Sequence, residues 1–456
     1  MQSRHFTLGL GLTVVALAFV GIAACSSTNA GPQAGVKCTP AAYVYCRCQD
    51  RNEGTKLCRA DGVSFDACKC DGSGVTPNDG PPLDPDGGLG STPLEVVDSG
   101  APPPITGASI DPKCVGKLGV VAGSADDLDA YVATYTGPGV FSVSKSHGPG
   151  LRGPATVLPV GTSLVASYLS RYMLVAWTKL TAGAWAAPNS IGNASASGPT
   201  SATLLNGNLH LFYLGADSRY HMGTYGGTAG WDDATALAES AADAGAPVPG
   251  KTAPTAAVVG SSITLAFSGN DGTLARETYA SGSWSTLTKF SGVNAYDAAP
   301  AIVALDPGGT KDMLMVFVGS DLLLHVATRD ASNKVWNTPT LFDTAASSTD
   351  TALIALPGGK AMLVYKATND QGYYSVWSPA TGFAAPAELV AGKNPALASV
   401  PSIARGRCGS DATIAFAEKT DGLVKIVRFT AGAAMAGPFD VRGIPKATFV
   451  GVGELP

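Results

Sequence analysis

The sequence predicts an all-β protein, a β-propeller preceded by a small disulfide-rich module and an extended linker, and three observations predict it. The composition is turn-rich, with 56 Gly and 31 Pro among 456 residues and only 14% charged, which suits short strands and tight turns better than helices. Residues 113–456 repeat with a period near 50, the mark of a unit that cannot cover its own apolar face and stacks on copies of itself. Each repeat also resolves into four short strand candidates divided by turns.

One repeat shows the pattern. Ala253 to Val259, Ile263 to Gly269, Asp271 to Leu274 and Gly282 to Trp284 are short apolar-alternating pieces with turn residues between them. The aromatic closing the second strand recurs as Tyr168, Tyr213, Phe267, Phe317, Tyr365 and Phe416, at intervals of 45, 54, 50, 48 and 51 residues. A fourth-strand landmark recurs independently as Trp185, Trp231, Trp284, Trp336, Phe383 and Met435. Large side chains at fixed positions are expected to wedge between neighbouring sheets. Asp217, Asp271, Asp321, Asp370 and Asp421 recur between the second and third strands, where Asp suits tight turns. Six full repeats span about 154–442. The stretch from Gly116 to His147 holds two or three strands more, including Ala130 to Tyr135 and Val140 to Val143, and Lys446 to Val450 reads as a strand able to complete it. The expectation is seven blades, one shared between the two ends of the domain, with six as the alternative, because closing the circle removes an exposed sheet edge. Cys114 opens the domain and Cys408 lies in the last full repeat, so a disulfide between them is expected to lock the circle.

The N-terminal part divides in three after a leader. Residues 1–24 have the order of a secretory signal: Arg4 and His5, an apolar stretch from Phe6 to Val20, then small residues. Ile22-Ala23-Ala24-Cys25 resembles the lipobox of bacterial lipoproteins, which implies acylation of Cys25, a membrane partner through the lipid, and residues 25–37 as the lipidated spacer. Ser26 follows the cysteine, and in that family the absence of Asp there implies the outer membrane, on its periplasmic or exposed side. Residues 38–70 hold six of the nine cysteines, Cys38, Cys46, Cys48, Cys58, Cys68 and Cys70, in a segment too poor in apolar residues to fold unaided. Three disulfides are the expectation, with their pairing open, and a thiol metal site is the competing reading. The run from Gly54 through Cys68-Lys69-Cys70 resembles a short module found after the anchor in bacterial lipoproteins, and implies no activity. Residues 71–112 are Pro-, Gly- and Asp-rich without apolar periodicity, a linker expected to reach roughly 35–40 Å.

The net charge of −5 and the lack of any basic run exclude a nucleic-acid footprint. No nucleotide loop or nucleophile elbow occurs and the five histidines show no metal spacing, so no cofactor and no metal are expected, and binding is favoured over catalysis. The repeats resemble sialidase-type and fucose-lectin propellers in their blades and seam aromatics. Against the sialidase Asp-box, Ser268-Gly269-Asn270-Asp271-Gly272 has its Asp one place late. No pattern selects three arginines for a carboxylate, so the sialidase-type hydrolase is the rival reading. The run from Asp271 to Glu277 resembles the Arg- and Glu-bearing strand of the fucose lectins, which implies a ligand site at Arg276, Glu277 and Trp284. Only this repeat carries it, and adjacent strand residues face opposite sides. The functional expectation is a surface lipoprotein whose propeller binds a glycan or a protein partner, with a structural envelope protein lacking a small ligand as a further alternative.

Acylation is directly measurable. The full chain produced in a lipoprotein-processing bacterium is expected to partition into the detergent phase with acyl mass on Cys25, and Cys25→Ser is expected to move it to the aqueous phase with its leader uncleaved. Equal partitioning of the two would overturn the lipobox assignment.

Overall fold

The regular alternation of apolar residues gives way in three dimensions to antiparallel hairpins laid side by side. A computed structural model describes residues 43–47, 53–57, 59, 64, 66, 95–97, 110–146, 150–225, 231, 235–236, 251–433 and 435–456. The expectations for residues 1–24 and for Cys25, Cys38, Cys48, Cys58, Cys68 and Cys70 lie outside the described residues. The side chain of Cys46, on a described strand, does too. The chain divides into two compact units, residues 1–79 and 80–456. In the first, Tyr43–Arg47 pairs antiparallel with Glu53–Leu57, and the Arg59 guanidinium donates to Asp66 at 2.6 Å.

The second is built from repeated antiparallel sheets. Unit 1 runs outward as Thr156–Val160, Ser163–Leu169, Leu174–Thr181 and Ala184–Trp185. Unit 2 is Ser201–Leu205, Asn208–Leu214, Tyr220–Tyr225 and Thr235–Ala236. Unit 3 is Thr255–Val259, Ser262–Ser268, Thr273–Ala280 and Ser283–Trp284, with Thr288–Asn294 also on its third strand. Unit 4 is Ala301–Ala304, Lys311–Val318 and Leu323–Asp330, and its outer edge is the start of the 17-residue strand Thr340–Leu356. The end of that strand is the inner edge of unit 5, which continues through Lys360–Ala367, Gly372–Ser378 and Gly382–Phe383. Unit 6 is Ser402–Arg405, Ala412–Ala417, Val424–Phe429 and Ala436–Val441.

The remaining sheet joins the two ends of the domain. Its order is Ala447–Glu454, Leu118–Ser124, Ala130–Gly137, Val140–Ser146 and Glu95–Val97. The C-terminal strand thus takes the innermost place, with Val452 opposite Val120, and it neighbours the inner strands of both unit 6 and unit 1. Glu95–Val97 falls inside the stretch read as linker, yet it pairs with Val140–Ser146. Three residues without periodicity carry no strand signal of their own; the open outer edge of a finished sheet recruits them.

The inner strands of every sheet line one channel of about 670 Å³, the arrangement of a β-propeller. Proline stands just before the innermost strand at Pro154, Pro199, Pro254, Pro300 and Pro401, and all but Pro300 line the channel. An inner edge strand needs no donor on its free side, so proline is tolerated there. Unit 5 carries Asp350 at this point, and its carboxylate accepts the Ala299 backbone N–H at 2.6 Å. Hemmed in by protein around the channel, Asp350 is pushed up by burial.

The landmark aromatics fill the seams. Tyr168, Tyr213, Phe267, Phe317, Tyr365 and Phe416 are each at most 3% exposed, and each packs on the sheet that precedes it in the chain. The fourth-strand landmarks pack on the same side: Trp284 meets Phe212 of unit 2 edge-on at 6.2 Å. Cys114 and Cys408 are bonded across 294 residues. Beside them Glu454, fully buried, accepts from the backbone of Arg407 at 2.7 Å, from the Thr413 hydroxyl and from Arg428 at 3.3 Å. Arg428 also donates to the Cys408 carbonyl at 3.1 Å.

Closure by this bond is testable. Replacing both Cys114 and Cys408 by Ser is expected to cost roughly 2–5 kcal/mol of unfolding free energy, read by urea titration, because the bond removes the freedom of a very long loop from the unfolded chain. An unchanged urea midpoint would show that strand pairing alone holds the circle.

Candidate functional site

The turn between the second and third strands is the first recurrent polar feature. Asp217, Asp271, Asp321 and Asp421 each accept the backbone N–H two residues on, at 2.9 to 3.1 Å. In unit 5 Asn369 takes this role at 3.0 Å, one residue before the expected Asp370. Asp370 instead binds Lys366 and Lys419, both at 2.8 Å, and these ammonium groups hold it at about 2. The four-residue spacing then places a partner over the carboxylate: His221 on Asp217, His325 on Asp321, Lys425 on Asp421. His221 and His325 lie flat on the landmark rings Tyr213 and Phe317. A Cβ at Gly215 would sit 2.4 Å from Asp217 and 2.6 Å from His221, so the glycine belongs to the motif. These contacts explain the recurrent Asp as a structural turn.

Strand alternation then sorts the expected ligand residues. On the third strand of each unit one face meets the next sheet and the other the preceding sheet. Arg276 pairs opposite Ala266 and faces forward, with its guanidinium 5.9 Å from the Phe290 ring. Glu277, one residue on, faces back toward unit 2, where Trp284 also lies. The structure therefore brings Glu277 and Trp284 to one seam and places Arg276 in the next. The register-equivalent positions of Arg276 are Trp177, Met222, Val326, Tyr374 and Ile426, so no second unit carries the pair. Glu277 is 9% exposed, and burial pushes it up to about 7.

A cleft between neighbouring units was not foreseen. Between units 4 and 5 lies a cavity of about 430 Å³, walled by Val326, Thr328, Asn337, Thr338, Thr340, Leu341 and Phe342 on one side and by Trp377, Thr381, Phe383 and Pro386 on the other. Phe342 and Phe383 pack at 4.7 Å between ring centres. The Asn337 amide donates to the Thr328 hydroxyl at 2.9 Å. No lining side chain is ionisable. An apolar cavity with a few fixed hydroxyl and amide groups is the chemistry of a neutral small-ligand site. Its walls come from positions whose neighbours are the landmark aromatics, and the run of threonines at 328, 338, 340 and 381 was the available signal.

The arginines do not gather into one carboxylate clamp. Arg329 is bidentate on Asp312 at 2.9 and 3.1 Å, Arg428 is committed to Glu454, and Arg405 and Arg407 line the channel. Cys114, Cys408 and Glu454 lie close enough to suggest metal ligation, but the two thiols are spent in the disulfide.

No protein-family model matches the chain, and no curated protein matches it in sequence. Solved structures do match in shape. The BP39L lectin from Burkholderia pseudomallei is similar with a TM-score of 0.55 at 13% identity, over 73% of this chain and 98% of that one. The fucose-specific lectin of Aleuria aurantia, described as a six-bladed β-propeller, matches with a TM-score of 0.48 at 13% identity, over 65% of this chain and 96% of that one. AofleA from Arthrobotrys oligospora matches with a TM-score of 0.45 at 17% identity, over 60% of this chain and 83% of that one.

The buried Glu277 makes stability depend on pH. Its folded pKa lies above its ordinary value, so folding takes up a proton, and stability is greatest at acid pH and declines as pH rises toward about 7. The decline attributable to this group is roughly 3 kcal/mol. Glu277→Gln is expected to flatten the difference between urea midpoints at pH 5 and pH 8; an unaltered pH slope would refute the assignment.

Proposed function

We propose that this chain is an envelope lipoprotein, anchored by acylated Cys25, whose propeller of seven blades binds neutral glycans in the clefts between its outer strands. In this reading the Cys-rich module at 38–70 is cross-linked by disulfides and acts as a spacer, and most of 71–112 is the tether. The seventh blade is the sheet shared by the two ends of the domain.

The observation that carries the reading is the uncharged cleft between units 4 and 5. It offers the partly exposed Phe383 ring, backed by the buried Trp377 and Phe342, to the C–H side of a sugar ring, and the hydroxyl and amide groups of Thr328, Asn337 and Thr381 to its oxygens. Its volume of about 430 Å³ is within the usual range for small-ligand pockets and far from the broad face that a stable protein interface needs. The likeness of fold to the BP39L lectin supports the same reading. A sialidase-type hydrolase is not favoured, because among the described residues only two arginines, Arg405 and Arg407, line the channel, one short of a three-arginine clamp.

A glycan array probed with the full chain is expected to show binding to neutral hexose- and deoxyhexose-terminated glycans. Asn337→Ala, at an exposed position, is expected to weaken that binding about five- to tenfold through loss of one hydrogen bond. Absence of any neutral glycan above background, or an Asn337→Ala chain that binds as the wild type does, would overturn the site.

A further inference from the structure

Register equivalence identifies a second seam of opposite character. The position that Val326 holds in the seam between units 4 and 5 is held by Arg276 in the seam between units 3 and 4, since each pairs opposite the residue preceding a landmark aromatic. The position that Trp377 holds is held by Arg329, each opposite the residue four before the landmark. Phe290 and Trp336 stand where Phe342 and Phe383 stand. One seam is lined by neutral groups and its neighbour by two guanidinium groups on the same scaffold.

The charges in this second seam do not balance. Arg329 and Lys334 share the single carboxylate of Asp312, at 2.9 and 2.7 Å. Arg276 has no carboxylate or hydrogen-bond acceptor among the described residues and rests on the Phe290 ring. Burial and the nearby charge of Arg329 both work against its protonated form. Trp336 packs edge-on against the same Phe290 at 5.7 Å, and its indole N–H is buried with no acceptor. With Arg329 spent on Asp312 and Lys334 in solvent, the seam is left with one guanidinium lacking an anion, beside a like charge, and an unused donor. A half-buried cation beside a like charge and an unsatisfied N–H are both costly, and an anion inserted between them relieves both.

We infer that the seam between units 3 and 4, where Arg276 and Arg329 converge beside Phe290 and Trp336, binds the carboxylate or sulfate group of an acidic saccharide. This deepens the glycan-binding reading and rests on it for the saccharide part. A chain with both seams would select glycans bearing neutral and acidic residues together. The planar Arg276 fork would take two anionic oxygens, and the Phe290 ring would support the sugar face.

The test uses the full chain with its tryptophans labelled with nitrogen-15, and the Trp336 indole resonance assigned by Trp336→Phe. Glucuronate and galactose 6-sulfate are titrated against acetate, inorganic sulfate and neutral galactose. The Trp336 signal is expected to move with the two acidic sugars, at affinities at least fivefold tighter than for acetate or inorganic sulfate. Arg276→Met is expected to weaken the acidic sugars at least tenfold. Equal affinity for the free anions would overturn the saccharide assignment. A Trp336 signal that never moves, or the same titration in Arg276→Met, would overturn the site itself. Loss of neutral-glycan binding alone would count against the first cleft and leave this one standing, since the first is read on the array with Asn337→Ala and the second on the Trp336 resonance with Arg276→Met.

Discussion

The structure depends on one constraint: the strand that completes the circle comes from the opposite end of the chain. Ala447–Glu454 must lie against Leu118–Ser124, more than 300 residues earlier, before either the first or the last sheet has a covered edge. Pairing over such a separation carries a large loop-closure cost, and its gains come late. The molecule concentrates bonds at that place. The disulfide ties Cys114 to unit 6, while Glu454, on the closing strand itself, gathers donors from Arg407, Cys408, Thr413 and Arg428. A buried ion pair of this kind adds little net stability over a well-packed apolar pair, but removing one partner leaves a charge stranded in the interior. Its effect is therefore to specify the closed arrangement over any slipped one.

Given closure, each seam is a copy of one packing problem with different side chains. The landmark aromatic points back at the preceding sheet, and the fourth-strand aromatic does the same from farther out. Between them two positions on facing third strands decide what the seam can hold. At Ile426 and its neighbours the seam closes into core. Where they are Val326 and Trp377 a neutral cleft opens, and where they are Arg276 and Arg329 the seam is cationic. The chemical character of a seam is set at these two positions without disturbing the wedges that hold the sheets together.

Most of the fold was legible because the wedges are large, rare residue types at a near-constant interval: Tyr168 through Phe416 and Trp185 through Met435 each mark a seam. The shared sheet was legible from the incomplete first repeat and the lone strand at Lys446 to Val450. The strand at Glu95–Val97 was not, because its pairing comes from an edge that only the folded sheet provides. The inner prolines recur in five of the six units, with Asp350 in the place of the sixth, and mark the inner edge, but a proline reads as a turn until an edge strand with no need of its N–H is in view. Asp370 misled in a smaller way: the turn is made by Asn369, and spacing alone does not separate neighbours.

The candidate sites were less legible for a reason intrinsic to strands. A ligand pocket in a propeller is assembled from two units some fifty residues apart, so adjacency in sequence is the wrong guide to adjacency at the site. Arg276 and Glu277 are neighbours in the chain and therefore occupants of different seams, whereas Arg276 and Arg329, or Val326 and Trp377, are distant in the chain and face each other. The period-two alternation that separates Arg276 from Glu277 is the same rule that, applied across the fifty-residue period, joins each forward-facing residue to a backward-facing partner in the next unit. Reading such a protein for function requires pairing the units first and the residues second.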